Sequence, residues 1–246
     1  MKERFNELKE LKAVIEKIID FGLSPFCLDI DFSQFMKKDL FSEVTKRIYL
    51  GVRPDDILVT ELEEVGITHV VSCLNEEKRP SVEFLKNRFN HLFIGVRDRI
   101  DEDISAVFPM FFAFSESIRN KKANSKLFVH CEAGVSRSAT LIIALLMKLE
   151  GKGFFDTYLS VKSKRARILP NIGFASQLQA MEHVLLENKI SKSPSSLALY
   201  LHRSCNIPAD IGTIQYALER NSFDAVNAIK SIFGGEIPRV VQGVRF

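Results

Sequence analysis

Tryptophan is absent from the 246 residues, and cysteine occurs four times, at Cys27, Cys73, Cys131 and Cys205. The missing tryptophan leaves no indole platform on which a sugar would stack. Cysteines this far apart, with no Cys-x2-Cys pair, argue against a zinc site and a disulfide framework and point to a reducing compartment, cytoplasm or nucleus. Charge of one sign is also lacking: 34 Lys and Arg stand against 31 Asp and Glu, so overall charge gives no reason to expect nucleic acid as a partner. Long apolar runs are missing too. Leu141–Met147 is the longest, far short of the ~20 residues that cross a bilayer. Met1–Asp20 interleaves Lys and Glu with apolar residues, unlike a secretory signal. No membrane partner is expected.

What is present centres on Phe128–Leu146, FVHCEAGVSRSATLIIALL. A β-prone run delivers His130 and Cys131 into a short loop containing Gly134 and Ser136, and Arg137 opens a long apolar helix. A loop between a strand end and a helix N-terminus turns successive backbone N–H groups inward as an anion nest, and the helix dipole adds to it. Glu132, Ala133, Gly134, Val135 and Ser136 would line such a phosphate-binding loop. The amides and the Arg137 guanidinium favour the thiolate of Cys131, the nucleophilic form. The planar fork of Arg137 matches two oxygens of a transferring phosphoryl group. Ser138 can hydrogen-bond the sulfur and ease its departure, and His130 braces the loop.

These residues resemble the signature loop of the cysteine-dependent protein phosphatases, in their dual-specificity branch. The resemblance rests on HCEAGVSRSA and extends to IYLGVRPD from Ile48, GITHVVSCLNE from Gly66 and RARILPNIGFASQL from Arg165. It implies hydrolysis of phosphotyrosine, phosphoserine or phosphothreonine in a protein substrate through a cysteinyl-phosphate, with no cofactor and no metal. It implies a general acid in the loop after the strand His91–Val96. Asp98 is the candidate, with Asp101 and Asp103 as competitors suited to capping the next helix. Arg97 and Arg99 flank Asp98 and, aimed at it, would oppose an acid's role. Asn171 matches an asparagine that supports the phosphate loop through its side chain. A cysteine at a strand end similar to that of Cys73 pairs with the catalytic one in the tumour-suppressor phosphoinositide phosphatase, so Cys73 is a candidate redox partner of Cys131. Glu132 disfavours a highly anionic inositol head group. A phosphatase of non-protein esters and a phospho-dependent binding module remain as alternatives. Lys162, Lys164, Arg165 and Arg167 read either as a solvated helix end or as a second anion subsite.

Strands alternating with helices imply an α/β fold, a mainly parallel central sheet flanked by helices. The expected organisation is an N-terminal helical extension over 1–43, its helix within Met1–Phe21; a catalytic domain over 44–190; a linker over 191–196; a small three-helix bundle over 197–235; and a tail over 236–246. Residues 197–235 resemble a ubiquitin-associated domain, which implies ubiquitin or a helical protein as partner. A helical cap on the phosphatase is the other reading.

Overall fold

The computed structural model describes residues 40–120, 125–186 and 194–237. The helix expected over Met1–Phe21 lies outside them, as do half of the linker and most of the tail. The described residues fall in one compact unit.

Five strands form one mixed sheet: β1 (Phe41–Thr45), β2 (Ile48–Gly51), β3 (His69–Leu74), β4 (Asn90–Gly95) and β5 (Leu127–His130). Their order is β1-β2-β5-β3-β4. β2, β5, β3 and β4 run parallel, and β1 joins the edge antiparallel. The sheet begins at Phe41, three residues before the expected start of the domain, because β1 buries only Val44 and so carries little apolar signal. The central strands HVVSCL and LFVH are buried along their whole length, as expected where helices cover both faces. Side chains alternate between two cores. Phe128, Val70 and Leu74 face α1 (Asp56–Glu64) and the 3-10 segment Glu76–Asn87. Val129, Val71 and Cys73 face the other helices.

Those helices are α2 (Phe108–Asn120), α3 (Arg137–Glu150), α4 (Phe154–Lys164), α5 (Ile172–Leu185), α6 (Ser196–Arg203), α7 (Ile211–Arg220) and α8 (Ala225–Ile232). Pro109 lies in the first turn of α2, where a helix has no need of the missing N–H. α3 is buried along eleven of its fourteen residues and ends at Gly151 in the left-handed conformation. The last three helices are not set apart. α6 packs on α4 and α5, and α8 packs on α5. Tyr200 lies 5.2 Å from Phe154 and 4.9 Å, edge-on, from Tyr158, and its hydroxyl donates to Pro170 O. Leu201, Ile214, Leu218 and Ile229 continue the core that Val129 and Ile142 begin. No described helix is long and apolar enough to cross a membrane.

Candidate active site

The carboxyl end of β5 releases the chain into Cys131–Ser136, and α3 begins at Arg137. Gly134 makes the turn at φ +64°, and a Cβ there would lie 2.5 Å from Gly51 O. Only glycine fits both constraints.

The loop's carbonyls are held from outside. His130 Nδ1 bonds Cys131 O at 3.2 Å. Arg53 N–H donates to Glu132 O at 3.3 Å and Leu169 N–H to Val135 O at 2.9 Å. Arg165 Nε donates to Gly134 O at 2.9 Å. Ser136 O accepts from Thr140 N at 2.8 Å and Thr140 Oγ1 at 2.9 Å. In a planar trans peptide the C=O and the next N–H point opposite ways. Five carbonyls drawn outward therefore turn the N–H groups of Glu132, Ala133, Val135, Ser136 and Arg137 toward the middle of the loop. This is a nest for an anion.

Cys131 lies at its base, 2% exposed, and the Ser138 hydroxyl donates to its Sγ at 3.1 Å. The Arg137 guanidinium is buried and anchored at one end, Nη1 donating to Asn75 Oδ1 at 3.0 Å and to Val96 O at 3.1 Å. Its Nε has no hydrogen-bond acceptor among the described residues and lies 3.7 Å from Asp98 Oδ2. A buried donor in this state is suited to an incoming oxyanion.

Asp98 sits on the rim of the same loop. Its Oδ1 accepts from Ser136 Oγ at 2.7 Å and from Asn171 Nδ2 at 3.0 Å, which leaves Oδ2 as the freer oxygen. The flanking arginines turn elsewhere: Arg97 pairs with Glu102 at 2.7 Å and Arg99 with Asp101 at 2.9 Å. Asp103 accepts from Ser105 N and Ala106 N, capping the turn that follows. Asn171 acts differently from the sequence expectation. Its backbone N–H reaches Ser136 Oγ at 3.2 Å, while its side chain spans Asp98, Arg99 O and the first turn of α5.

Cys131, Arg137, Ser138, Asp98, Ser136 and Asn171 thus come together, with Ala133, Gly134 and Val135 in the turn. Glu132 stands at the mouth, paired with Arg53 at 3.3 Å. His130 is wholly buried, stacked on Phe128 and bonded to Ser72 Oγ at 2.7 Å; burial pulls its pKa down to about 3. Cys73 is on the sheet face of Val71 and Val129. Burial, followed by the neighbouring Cys131, raises its thiol pKa.

The cationic run before Asn171 is not one surface. Arg165 is buried, gripping the loop, and Lys162 Nζ donates to Ile168 O at 3.1 Å. Sequence reasoning missed Asn75, Arg53 and the grip of Arg165 on the loop because each contact spans 31 to 79 residues of chain. Ser72 and His91 were missed as well. Their signal was polarity inside otherwise apolar strands, where a buried polar group needs a partner.

A family model described as the dual specificity phosphatase catalytic domain matches residues 48–184. The chain is 33% identical over 168 residues to the tyrosine-protein phosphatase vhp-1 of Caenorhabditis elegans, covering 68% of this chain and 25% of that protein. It is 35% identical over 173 residues to the protein-tyrosine-phosphatase MKP1 of Arabidopsis thaliana, covering 69% and 21%. The chain thus spans a quarter or less of these relatives' length. Among solved structures, the human tyrosine phosphatase-like serine/threonine/tyrosine-interacting protein aligns at a TM-score of 0.55 with 28% identity, over 60% of this chain and 99% of that one.

Proposed function

Because the chain belongs to the dual specificity phosphatase family, we propose that it is a protein phosphatase hydrolysing phosphotyrosine, phosphoserine or phosphothreonine through a cysteinyl-phosphate on Cys131. The observation that carries this reading is the loop whose carbonyls are drawn outward around a buried cysteine. The inward N–H groups and the Nε edge of Arg137 would hold the phosphoryl oxygens. Cys131 attacks phosphorus, the ester P–O bond breaks, and the departing oxygen takes its proton from Asp98 Oδ2. Asp98 then takes a proton from water as that water attacks phosphorus. The Cys131 sulfur leaves as thiolate, eased by the Ser138 hydroxyl.

A second reading, a phospho-dependent binding module, draws on the two hydrogen bonds that Asp98 already makes to Ser136 and Asn171. A phosphatase of non-protein esters is a third, and Glu132 at the mouth disfavours highly anionic esters. Turnover of a small aryl phosphate separates them, run on wild type, Cys131→Ser and Asp98→Asn. We expect turnover by wild type, none by the serine variant and a strong slowing of the asparagine variant. Wild type as inert as Cys131→Ser, yet retaining phosphopeptides, would establish the binding module instead. Activity on soluble esters with none on phosphopeptides would favour the third reading.

We read residues 197–235 as a helical cap on the phosphatase rather than a ubiquitin-binding module. Leu197, Tyr200 and Leu201 are spent on the core, and Tyr216 is the large apolar side chain left exposed on these helices, among the described residues. One such residue makes no apolar docking patch. A reducing compartment, cytoplasm or nucleus, suits a thiolate nucleophile.

A further inference from the structure

The histidine beside the nucleophile is not the end of its hydrogen-bond chain. Its Nε2 lies 2.7 Å from Ser72 Oγ, and that oxygen lies 2.7 Å from His91 Nε2 on β4. The direction of each bond follows from the chemistry at the two ends. Cys131 O can only accept, so the hydrogen of the 3.2 Å bond sits on His130 Nδ1. His130 is fully buried, which keeps the ring neutral, and its Nε2 is then bare. Ser72 has one hydrogen, and it goes to that lone pair. With it spent, Ser72 Oγ accepts, and His91 Nε2 carries the next hydrogen. Neutral His91 is left with a bare Nδ1, and this is the buried ring atom that has no partner among the described residues. Reversing the chain would put an orphaned N–H there, which costs more than an idle lone pair. Both ends give the same direction.

We propose that Ser72 and His91 are positioning residues that fix the tautomer of His130, and through it the orientation of the first peptide of the phosphate loop. His91 Nε2–H donates to Ser72, Ser72 O–H donates to His130 Nε2, and His130 Nδ1–H holds the Cys131 carbonyl outward. The Glu132 N–H is thereby turned into the nest. In the other tautomer the Nδ1 lone pair would face the carbonyl oxygen. That peptide would be free to flip and place a carbonyl where an anion must bind. The role rests on the phosphatase reading, but the tautomers do not.

The test is a long-range proton–nitrogen correlation spectrum of the full chain labelled with 15N-histidine at pH 7, beside aryl phosphate kinetics. Wild type is expected to show His130 protonated at Nδ1 and His91 at Nε2. Ser72→Ala is expected to show His130 in both tautomers and to lose kcat by on the order of tenfold, the worth of one hydrogen bond. Ser72→Thr, which keeps the hydroxyl, restores both. An Nε2–H tautomer of His130 in wild type overturns the proposal whether or not the protein turns over substrate. So does a Ser72→Ala variant that keeps wild-type tautomers and kcat. Correct tautomers in a protein without turnover would instead sink the phosphatase reading and leave the bond directions standing.

Discussion

Arg165 reaches back 31 residues to hold Gly134, its Nε donating to the glycine carbonyl at 2.9 Å, and its Nη1 lies 3.4 Å from Ser42 Oγ on β1. One buried cation therefore ties the sheet edge to the crest of the phosphate loop. Arg165→Met should leave that carbonyl without its charged donor, at a cost of about 1.5–3 kcal/mol. The loop should also lose its set. We expect kcat on an aryl phosphate to fall more than tenfold in a protein that still folds, as followed by circular dichroism. Wild-type kcat in this variant would mean that the loop holds its shape without the arginine.

Gly173, in the first turn of α5, lets the acid-bearing loop close onto the helix. A Cβ there would lie 2.0 Å from Ile100 O. Gly173→Ala must push that segment away and carry Asp98, two residues before it, off the Ser136 and Asn171 contacts. A shift of about 1 Å at a reacting group costs on the order of 10²-fold. The loss is expected mainly in kcat, because Asp98 supplies the proton while the loop's inward N–H groups are held by carbonyl bonds that do not involve Asp98. An unchanged kcat would uncouple this close approach from proton transfer.

How much of this was legible in sequence depended on how locally each feature is encoded. α3 begins where the sequence places it, at Arg137, because an apolar run behind a turn needs no long-range information. Cys131, Arg137 and Ser138 were legible for the same reason: one strand, turn and helix sets their spacing. β1 was not, since FSEVT buries a single residue and gains its place only by pairing with β2. Arg165 reads in sequence as one more cation in a basic run. Its burial against a loop 31 residues upstream is a tertiary fact. Asn171 was recognised as a support, but which of its groups faces which partner depends on how the acid loop docks, and no local pattern carries that.

Cys73 lies one residue before the end of β3 and Cys131 one residue past the end of β5, neighbouring strands whose register pairs Ser72 with His130. We propose that peroxide oxidises the Cys131 thiolate to the sulfenic acid, releasing water, and that the Cys73 thiol condenses with it, forming the disulfide and a second water. Burial raises the Cys73 pKa, so condensation should be slow. Peptide mapping after mild peroxide should recover the 73–131 link, reversibly by thiol, and Cys73→Ser should be lost to irreversible oxidation sooner than wild type. Absence of the link would sink the idea.

Tyr200 tests whether the C-terminal helices belong to the catalytic core. Its ring is fully buried against Phe154 and Tyr158, and its hydroxyl meets the carbonyl of Pro170, the residue before Asn171. Tyr200→Ala should cost about 3–5 kcal/mol through the cavity it leaves, and Tyr200→Phe about 1 kcal/mol through the lost hydrogen bond. Urea unfolding should show one transition that shifts as a whole, monitored both by far-ultraviolet dichroism and by activity. A variant that loses only a separate, weaker transition while the catalytic domain keeps its midpoint would make 197–235 an independent domain.

Stability should fall as the solution is acidified, well before most carboxylates titrate. Burial holds His130 at about 3 and His91 at about 4, against the ordinary 6.5. At His130 the bond to the Cys131 carbonyl opposes burial while His91, Arg53 and Arg137 reinforce it, and at His91 Lys86 and Arg79 reinforce burial while Glu83 opposes it. Both rings are therefore neutral in the folded chain and take up protons only on unfolding. Their contribution is complete above about pH 6.5 and is lost as pH drops toward the folded values. The fully buried His130 accounts for about 1.4 kcal/mol per pH unit across that window, and the partly solvated His91 for a smaller share. Urea midpoints measured from pH 7.5 down to pH 5 should decline with that slope, and His91→Gln, which keeps a donor for Ser72, should make the decline shallower. A flat profile over the same range would mean that His130 is charged in the folded protein, and a charged His130 would carry hydrogens on both nitrogens and could not accept from Ser72.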